Sequence, residues 1–231
     1  MATELRSSPL SEILIAAWLT VKLATFTALI LLCISVPIAW FLAFSKLKIK
    51  YVLEPLVSLP LLLPPTVLGF YVLMFLSDQG PFGTFYSLLN LPGLAFSFGG
   101  LLVGSVIYSL PFGVQPILTA FRQMGTQPLE LAATLKASFW DRLFTVALPL
   151  AKQGLLLSFV LSFCHTIGEF GVVLMIGGNI PGQTKVLSLL MYDYVELMQF
   201  EQANTLALFL LVFAFVALLC LYQLQRKGMP R

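Results

Sequence analysis

Charged residues are scarce in this sequence. Only 10% of its 231 residues are Asp, Glu, Lys or Arg, and 59% are hydrophobic, whereas a soluble domain usually carries about 25% charged residues. The mean hydropathy is +0.96. This composition excludes an ordinary soluble globular domain and indicates that most of the chain lies in lipid. The net charge of +3 gives no sign of a nucleic-acid-binding surface.

Cysteine and histidine are also rare. Cys33, Cys164 and Cys220 all fall inside apolar runs and lack paired spacing, so they indicate neither a disulfide framework nor a metal site. His165 is the only histidine, and the sequence contains no nucleophile elbow and no cluster of metal ligands. We therefore expect no catalytic residue and no metal site in this chain.

A phosphate-binding loop is missing as well. The glycine clusters lack the Gly-Lys-Ser/Thr ending with which a Walker A loop cradles phosphates. We expect the chain to bind no ATP and no other cofactor. Any energy source must then come from a partner.

Long apolar runs dominate what is present. A membrane-spanning helix needs about 20 apolar residues, and the runs predict an all-α membrane protein with about five spans. We place them at residues 16–44, 51–76, 98–121, 154–176 and 203–224, within one domain covering residues 16–224. The N-terminus is polar and acidic, unlike a cleavable signal peptide, so the first span is expected to serve as the signal anchor.

The second predicted span is rich in proline. It contains Pro55, Pro60, Pro64 and Pro65. Each proline frees a backbone carbonyl that lipid cannot satisfy, so protein or a water-filled path must take up the freed groups. The span either lines such a path or is merely kinked.

The positive charges are distributed unevenly along the chain. The 46–50 turn, the 122–152 segment and the C-terminus hold ten of the thirteen Lys and Arg residues. By the positive-inside rule the N-terminus is outside and the C-terminus is cytoplasmic, in a multi-pass protein of the bacterial cytoplasmic membrane. The 122–152 segment then faces the cytoplasm.

That segment contains an amphipathic pattern. Thr126 and Pro128 are suited to opening a helix. Apolar residues then recur every four positions and predict a ridge on one helical face, formed by Leu131, Leu135, Phe139 and Leu143. The pattern favours either a docking element for a cytoplasmic partner or a helix lying on the lipid headgroups.

A carboxylate lies inside the fourth predicted span. Glu169 would cost roughly 2.5–3.5 kcal/mol to insert, so it should face a cavity or a partner. His165 lies four residues earlier, and the two side chains are expected to share a helical face. The pair is compatible with a buried hydrogen bond, with a place beside a permeation path, or with an acid/base pair in a membrane-embedded enzyme. The glycines at 168 and 171 would allow a local break or close helix approach.

The spacing within residues 130–149 resembles the EAA loop of permease subunits of bacterial ABC importers. Glu130, Ala132 and the run from Val146 to Pro149 match that pattern, while Leu131 replaces the usual alanine and Lys136 the usual glycine. The resemblance implies a cytoplasmic coupling helix that docks in a groove of an ATPase subunit. The residues it marks for docking are Glu130, Leu131, Ala132, Leu135, Lys136, Val146, Leu148 and Pro149.

Further stretches resemble the molybdate branch of these permeases. They are residues 62–70, 109–112, 168–171 and 179–182, in the order and spacing of that branch; His165 stands where the branch often has arginine. The resemblance implies a type I (MetI-like) ABC importer permease fold and import of molybdate, with tungstate, sulfate or thiosulfate as alternatives. Pro65, Thr66, His165 and Glu169 are the predicted pathway residues.

The same resemblance implies the partners. Two copies of the chain would form the pathway in membrane lipid, two copies of a cytoplasmic ATPase would grip the coupling helices, and an extracytoplasmic molybdate-binding protein would deliver the ion. A secondary anion transporter working alone would instead predict an internal repeat and charged residues at mid-membrane. The sequence shows one such carboxylate and no repeat.

Overall fold

The computed structural model describes residues 9–89 and 92–227, and the described part is built from helices without strands. Three helices are long and apolar enough to cross a membrane, and the number rises to five if each of two bent helix pairs counts as one span. The prediction of an all-α membrane protein with about five spans is confirmed. The N-terminal polar residues up to Ser8, which the signal-anchor prediction uses, and Arg231 lie outside the described residues.

The first helix, α1, extends further than predicted. It covers Pro9–Phe44, 36 residues, or about 54 Å at 1.5 Å per residue. A hydrocarbon core is about 30 Å thick, so α1 reaches beyond it. Lys22 lies in the first half of α1, and its ammonium is 4.5 Å from the centre of the Phe98 ring.

The second predicted span is broken rather than continuous. Helix α2 covers Lys50–Ser58 and continues as a 3₁₀ turn at Leu59–Leu61, whereas α3 covers Pro65–Leu76. The bend between Lys50–Leu61 and Pro65–Leu88 is 109°. Pro64 is extended (φ −54°, ψ 133°) because it precedes Pro65, and a residue before proline disfavours the helical region. A short helix, α4, follows at Pro81–Leu88.

Helix α5 is the centre of the fold. It covers Phe98–Met124 and is capped by Ser97, whose hydroxyl accepts from the Gly100 N–H at 3.2 Å. Its buried residues Val114, Ile117, Leu118 and Phe121 form one core with α1 and with residues 129–151. The helix that contains Gly154 packs closely against α5. A Cβ at Gly154 would lie only 2.7 Å from the Pro116 carbonyl oxygen, so a larger residue there would collide with α5.

The fourth predicted span is also broken. Helix α9 covers Lys152–Gly168 and α10 covers Gly171–Gly177, so Glu169 and Phe170 separate them. The glycines serve both predicted purposes. The chain breaks after Gly168, and a Cβ at Gly171 would lie 2.8 Å from the Pro65 Cβ, so α10 meets the start of α3 at close range.

The segment after α10 is more ordered than a loop. Helix α11 covers Leu187–Glu196 and buries Leu187, Leu189 and Leu190. This helix of ten residues lies between the fourth and fifth predicted spans, and it is shorter than the about 20 residues that a membrane span needs. The last helix, α12, covers Phe200–Lys227 and leaves most of its apolar residues exposed, as a lipid-facing helix does.

Candidate coupling surface and translocation site

Residues 126–151, which we name the coupling segment, fold into several short helical turns rather than one amphipathic helix. Helix α6 covers Gln127–Thr134, with Pro128 in its first turn as predicted and with Thr126 as N-cap residue, although the Thr126 hydroxyl makes no capping bond. The chain then turns at Lys136, whose φ is +60°. The continuous four-residue ridge predicted from Leu131 to Leu143 is therefore wrong, because the helix ends before its midpoint.

A capping box opens the second half of the segment. The Ser138 hydroxyl accepts from the Asp141 N–H at 3.2 Å, and the Asp141 carboxylate accepts from the Ser138 N–H at 3.0 Å. Short helix α7 at Phe139–Asp141 leads into a π-turn at Arg142–Ala147 and helix α8 at Leu148–Leu150. This reciprocal bonding satisfies the donors that a new helix start exposes.

The segment has two faces with different roles. Leu129, Leu143 and Ala147 are buried in the core under α5, so Leu143 anchors the segment instead of extending a ridge. On the outer face large apolar side chains are exposed: Leu131 (66%), Leu135 (78%), Trp140 (63%) and Phe144 (59%). We name these four residues the coupling surface. An apolar patch of this kind marks an interaction site.

The other residues predicted for docking divide between the two faces. Glu130, Lys136 and Pro149 are exposed, and Ala132 is half-buried. Val146 and Leu148 are partly buried against the core, where they hold the segment to α5.

An ion pair braces the end of α5 that lies beside this segment. Both terminal nitrogens of Arg122 donate to the Glu54 carboxylate, at 2.8 and 2.7 Å. The bidentate pair joins α5 to α2 across 68 positions of sequence, and such forks hold geometry well. Sequence reasoning missed this pair, since nothing local links the two residues.

The four predicted pathway residues line one groove. A cavity of about 490 Å³ is bordered by Pro65, Thr66, His165 and Glu169, together with Tyr108 and residues next to these. Pro65 and Thr66 begin α3, and His165 lies in the last turn of α9. The two helix breaks therefore meet at this groove, which we name the outer groove.

His165 is positioned by α5. Its Nδ1 lies 2.8 Å from the Ser109 hydroxyl. Its ring stacks on Phe112 at 4.1 Å between centroids and lies 4.7 Å from the Tyr108 ring. The predicted sharing of a helical face with Glu169 was wrong, because α9 ends at Gly168 and Glu169 is extended (φ −69°, ψ 131°).

Glu169 is almost completely buried, with 3% of its surface exposed. Its backbone carbonyl accepts from the Ser188 hydroxyl of α11 at 2.6 Å. Within the described residues the hydrogen bond to His165 that the sequence allowed is not formed, and the Ser105 hydroxyl of α5 is the neighbouring donor to the buried carboxyl group. Such a neighbour matters, because burying a carboxyl group without hydrogen bonds is costly.

A second cavity, which we name the inner vestibule, lies at the other end of α5. It measures about 730 Å³ and is lined by Gln115, Thr119 and Gln123 of α5, by Gln153 of α9, and by Pro128 and Leu150 of the coupling segment. The sequence analysis did not single it out. The sequence pattern that could have indicated this cavity is the polar residue at every fourth position of α5, namely Gln115, Thr119 and Gln123.

The turn after α10 is held by polar side chains. Gly178, Asn179 and Gly182 have φ values of +65°, +56° and +75°, so the chain turns tightly after α10. The Asn179 amide donates to Asp193 at 2.7 Å, and Lys185 lies 2.6 Å from the same carboxylate. Lys185 also reaches Glu12 of α1 at 3.5 Å.

The chain matches a known protein family. The family described as "Binding-protein-dependent transport system inner membrane component" matches residues 35–229. Among relatives, the chain is 49% identical over 219 residues to the molybdenum transport system permease protein ModB of Azotobacter vinelandii, covering 94% of this chain and 97% of that protein. It is 31% identical to ModB of Escherichia coli K12 (78% and 79% covered) and 30% identical to the sulfate transport system permease protein CysW of the same strain (94% and 75%).

Solved structures show the same fold. A bacterial alginate ABC transporter in complex with an alginate-bound periplasmic protein matches with a TM-score of 0.75 at 18% identity, over 93% of this chain and 78% of that one. The MetNI methionine ABC transporter, in inward-facing conformations, matches with a TM-score of 0.72 at 16% identity, over 97% and 100%. The chain therefore belongs to the binding-protein-dependent transport system inner membrane component family, and it is a multi-pass ABC importer permease with the type I fold.

Proposed function

We propose that this chain is the permease subunit of an ATP-driven importer of molybdate. The observation that carries the ion is the 49% identity to ModB of A. vinelandii over nearly the full length of both proteins. Identity to the sulfate permease CysW is 30%. Tungstate shares the tetrahedral dianionic form of molybdate and is expected to compete for the same path.

The coupling segment is proposed to dock on a cytoplasmic ATPase subunit. Its four apolar side chains are exposed, and Glu130 lies exposed beside them. In an aqueous cytoplasm such a surface is stable only when a partner covers it. The expectation of an interfacial helix on lipid is less well supported, because the exposed apolar residues lie on both sides of the turn at Lys136 instead of on one helical stripe.

The proposed assembly contains two copies of this chain, two ATPase subunits and an extracytoplasmic binding protein. The N-terminus is proposed to lie outside and the C-terminus in the cytoplasm. Phe139 of the coupling segment packs on Trp40 near the end of α1, at 5.6 Å between rings. This contact groups the segment with the lysine-rich 46–50 turn, and the grouping supports a common cytoplasmic side.

The mechanism follows from the rigidity of these links. Closure of the ATPase dimer on ATP draws the two coupling segments together. Leu129 and Leu143 transmit the movement to α5 through their shared core, and the Arg122–Glu54 pair carries it to α2. Helix α2 leads to the break before Pro65, so movement at the segment changes the width of the outer groove. Hydrolysis resets the groove to face inward.

Radiolabelled molybdate uptake tests the proposal. The chain is expressed with its ATPase and binding protein in cells lacking high-affinity uptake, as the parent and as Glu130→Lys, with Glu201→Lys as an exposed control on α12. We expect Glu130→Lys to reduce uptake about tenfold or more, since about 1.4 kcal/mol of docking energy is worth that factor. The control should transport normally.

Competition and omission identify the ion and the energy source. Tungstate should abolish uptake, and excess sulfate should leave it unchanged. Equal inhibition by sulfate would move the assignment to a sulfate-type importer. Uptake that persists without the ATPase would contradict the proposed assembly and would favour a carrier working alone.

A further inference from the structure

The inner vestibule combines polar lining with the absence of charge. Within the described residues, its lining contains three glutamines and one threonine, and no Lys, Arg, Asp or Glu. Arg122 and Lys152 precede Gln123 and Gln153 in sequence but are not part of this lining, and Arg122 is bound at both terminal nitrogens by Glu54. The vestibule therefore offers hydrogen-bond donors without a fixed positive charge.

The residues of α5 that line or contact the two cavities follow one helical face. Tyr108 and Phe112 border or contact the outer groove, while Gln115, Thr119 and Gln123 line the vestibule. Spacings of three and four residues place all five on one side of a helix. From Tyr108 to Gln123 this face runs about 22 Å along the axis, so one stripe connects the two cavities.

This face cannot lie against lipid. Thr119 and Gln123 are exposed, and Gln115 is half-buried. At 1.5 Å per residue, Gln115 lies about 12 Å along the helix axis from Gln123, which is next to the last residue of α5. Polar side chains at such depth face protein or a water-filled cavity. A lipid-facing helix of this chain looks different, as the exposed Leu and Phe side chains of α12 show.

Gln115 is held in place by a neighbouring element. Its amide nitrogen donates to the Ser58 hydroxyl at the end of α2, at 2.9 Å. An amide carries two N–H groups, so one remains for a ligand in the cavity. Gln153 and Gln123 supply further amides at the mouth.

Resting on the proposed function, we propose that the inner vestibule is the exit site for the oxyanion, which it holds by neutral amide and hydroxyl donors of Gln115, Thr119, Gln123 and Gln153. A dianion that meets neutral donors is held briefly and released, as conduction requires. A fixed cation would bind it more strongly and delay release. Pro128 and Leu150 of the coupling segment border the cavity. The segment that is proposed to dock on the ATPase therefore also forms part of the wall of the exit site.

A sign test separates this role from a structural one. Gln153 is exposed at the mouth, and Gln153→Glu and Gln153→Lys place opposite charges there at similar size. The full complex is reconstituted with its ATPase and binding protein, and ion uptake is measured together with ATP hydrolysis. We expect Gln153→Glu to import at least about fivefold more slowly than Gln153→Lys, because a carboxylate repels a dianion, while both retain hydrolysis stimulated by the binding protein.

The matched control is the same pair of changes at Gln199, an exposed residue between α11 and α12. Gln199→Glu and Gln199→Lys should import at the parent rate. Equal import by the two Gln153 variants, whether both fast or both slow, would overturn the proposal. Uptake by the unsubstituted protein tests the proposed function separately. If that protein imports sulfate and not molybdate, the assignment of the ion is wrong. The comparison of the Gln153 variants is then made with sulfate.

A chemical probe tests the vestibule without charge substitution. Thr119→Cys is introduced into a chain whose three cysteines are replaced by alanine, with Val212→Cys on the exposed face of α12 as the lipid control. Inside-out vesicles are treated with anionic methanethiosulfonate ethylsulfonate. We expect Thr119→Cys to react, and to react more slowly with molybdate at millimolar concentration, while Val212→Cys stays unreactive. Thr119→Cys that is unreactive, or that reacts at a rate independent of molybdate, would overturn the proposal.

Discussion

Lys136 holds a backbone conformation that suits glycine. Its φ of +60° lies in the left-handed region, which costs a residue with a Cβ roughly 1–2 kcal/mol. Glycine avoids that cost and loses about 0.5–1 kcal/mol in conformational entropy. We expect Lys136→Gly to raise the free energy of unfolding by up to about 1 kcal/mol, measured by reversible unfolding in mixed detergent and SDS.

The matched variant is Lys136→Ala, which removes the charge and keeps the strained turn. It should give no gain in stability. An equal gain from alanine would show that the lysine charge, and not the backbone conformation, limits the stability of this turn. The position also explains the family pattern: glycine is usual there because the chain must reverse, rather than because another backbone approaches.

Gly168 and Gly171 have the same residue type and opposite surroundings. A Cβ at Gly171 would lie 2.8 Å from the Pro65 Cβ, whereas nothing lies within 4 Å of a Cβ at Gly168. We expect Gly171→Ala to lower the free energy of unfolding by about 1–3 kcal/mol through overpacking. Gly168→Ala should be neutral or stabilising by about 0.5–1 kcal/mol, since alanine suits a helix better.

Thermal unfolding of the two variants in detergent measures this difference, and uptake shows whether the outer groove keeps its shape. If both alanines destabilised equally, the close contact between α10 and α3 would not be the cause. The comparison thus tests the packing contact between Gly171 and Pro65, where the two helix breaks lie together.

At the scale of elements, different residues of the coupling segment are expected to serve ATPase binding and folding stability. Leu135 is 78% exposed, while Leu143 is 8% exposed and part of the core. We expect Leu135→Ala to weaken co-purification of the ATPase and to reduce uptake, with the unfolding midpoint unchanged. Leu143→Ala should lower the free energy of unfolding by about 2–5 kcal/mol.

The two leucines lie eight residues apart and undergo the same substitution, so each controls for the other. Loss of stability in Leu135→Ala would mean that the coupling surface is part of the permease core. Normal ATPase binding in Leu135→Ala would exclude this residue from the interface.

At the scale of the whole molecule, Lys185 joins the first helix, α1, to α11. It contacts Asp193 of α11 and Glu12 of α1. Burial lowers the pKa of Lys185, but the hydrogen bond and charge of Asp193 and the charge of Glu12 outweigh burial, so the pKa lies above its usual range. Removing one partner of such a group typically costs about 1–3 kcal/mol, and Lys185→Met is expected to lose that amount.

The pH dependence has a defined sign. A lysine whose pKa is raised by folding stabilises the protein fully below its unfolded value of about 10.4, and the contribution is lost as pH rises through the folded pKa. The stability difference between the parent and Lys185→Met should therefore be constant from about pH 6 to about pH 9 and shrink only above about pH 10.4. Unfolding curves across this range measure it, with exposed Lys152→Met as control. A difference that already shrinks near neutral pH would contradict the ion pair.

The sequence by itself determined the class of protein, the approximate number of its spans and the segment that is proposed to couple. These properties follow from composition and from local spacing: apolar runs of span length, basic residues between them, and a short motif around Glu130. Hydrophobicity acts on each residue independently of the fold, so such features can be counted along the chain. The prolines before α3 and the glycines around Glu169 also marked both helix breaks.

Only the tertiary structure decided what these features do together. The reversal at Lys136, the stacking of His165 on Phe112 and the Arg122–Glu54 pair depend on backbone direction and on residues distant in sequence. The sequence predicted His165 and Glu169 on one helical face, but the helix ends between them. Both residues instead line the outer groove, together with residues of α3 and α5. A cavity is a property of the space between elements, so the inner vestibule emerges only when α5, α9 and the coupling segment are packed together.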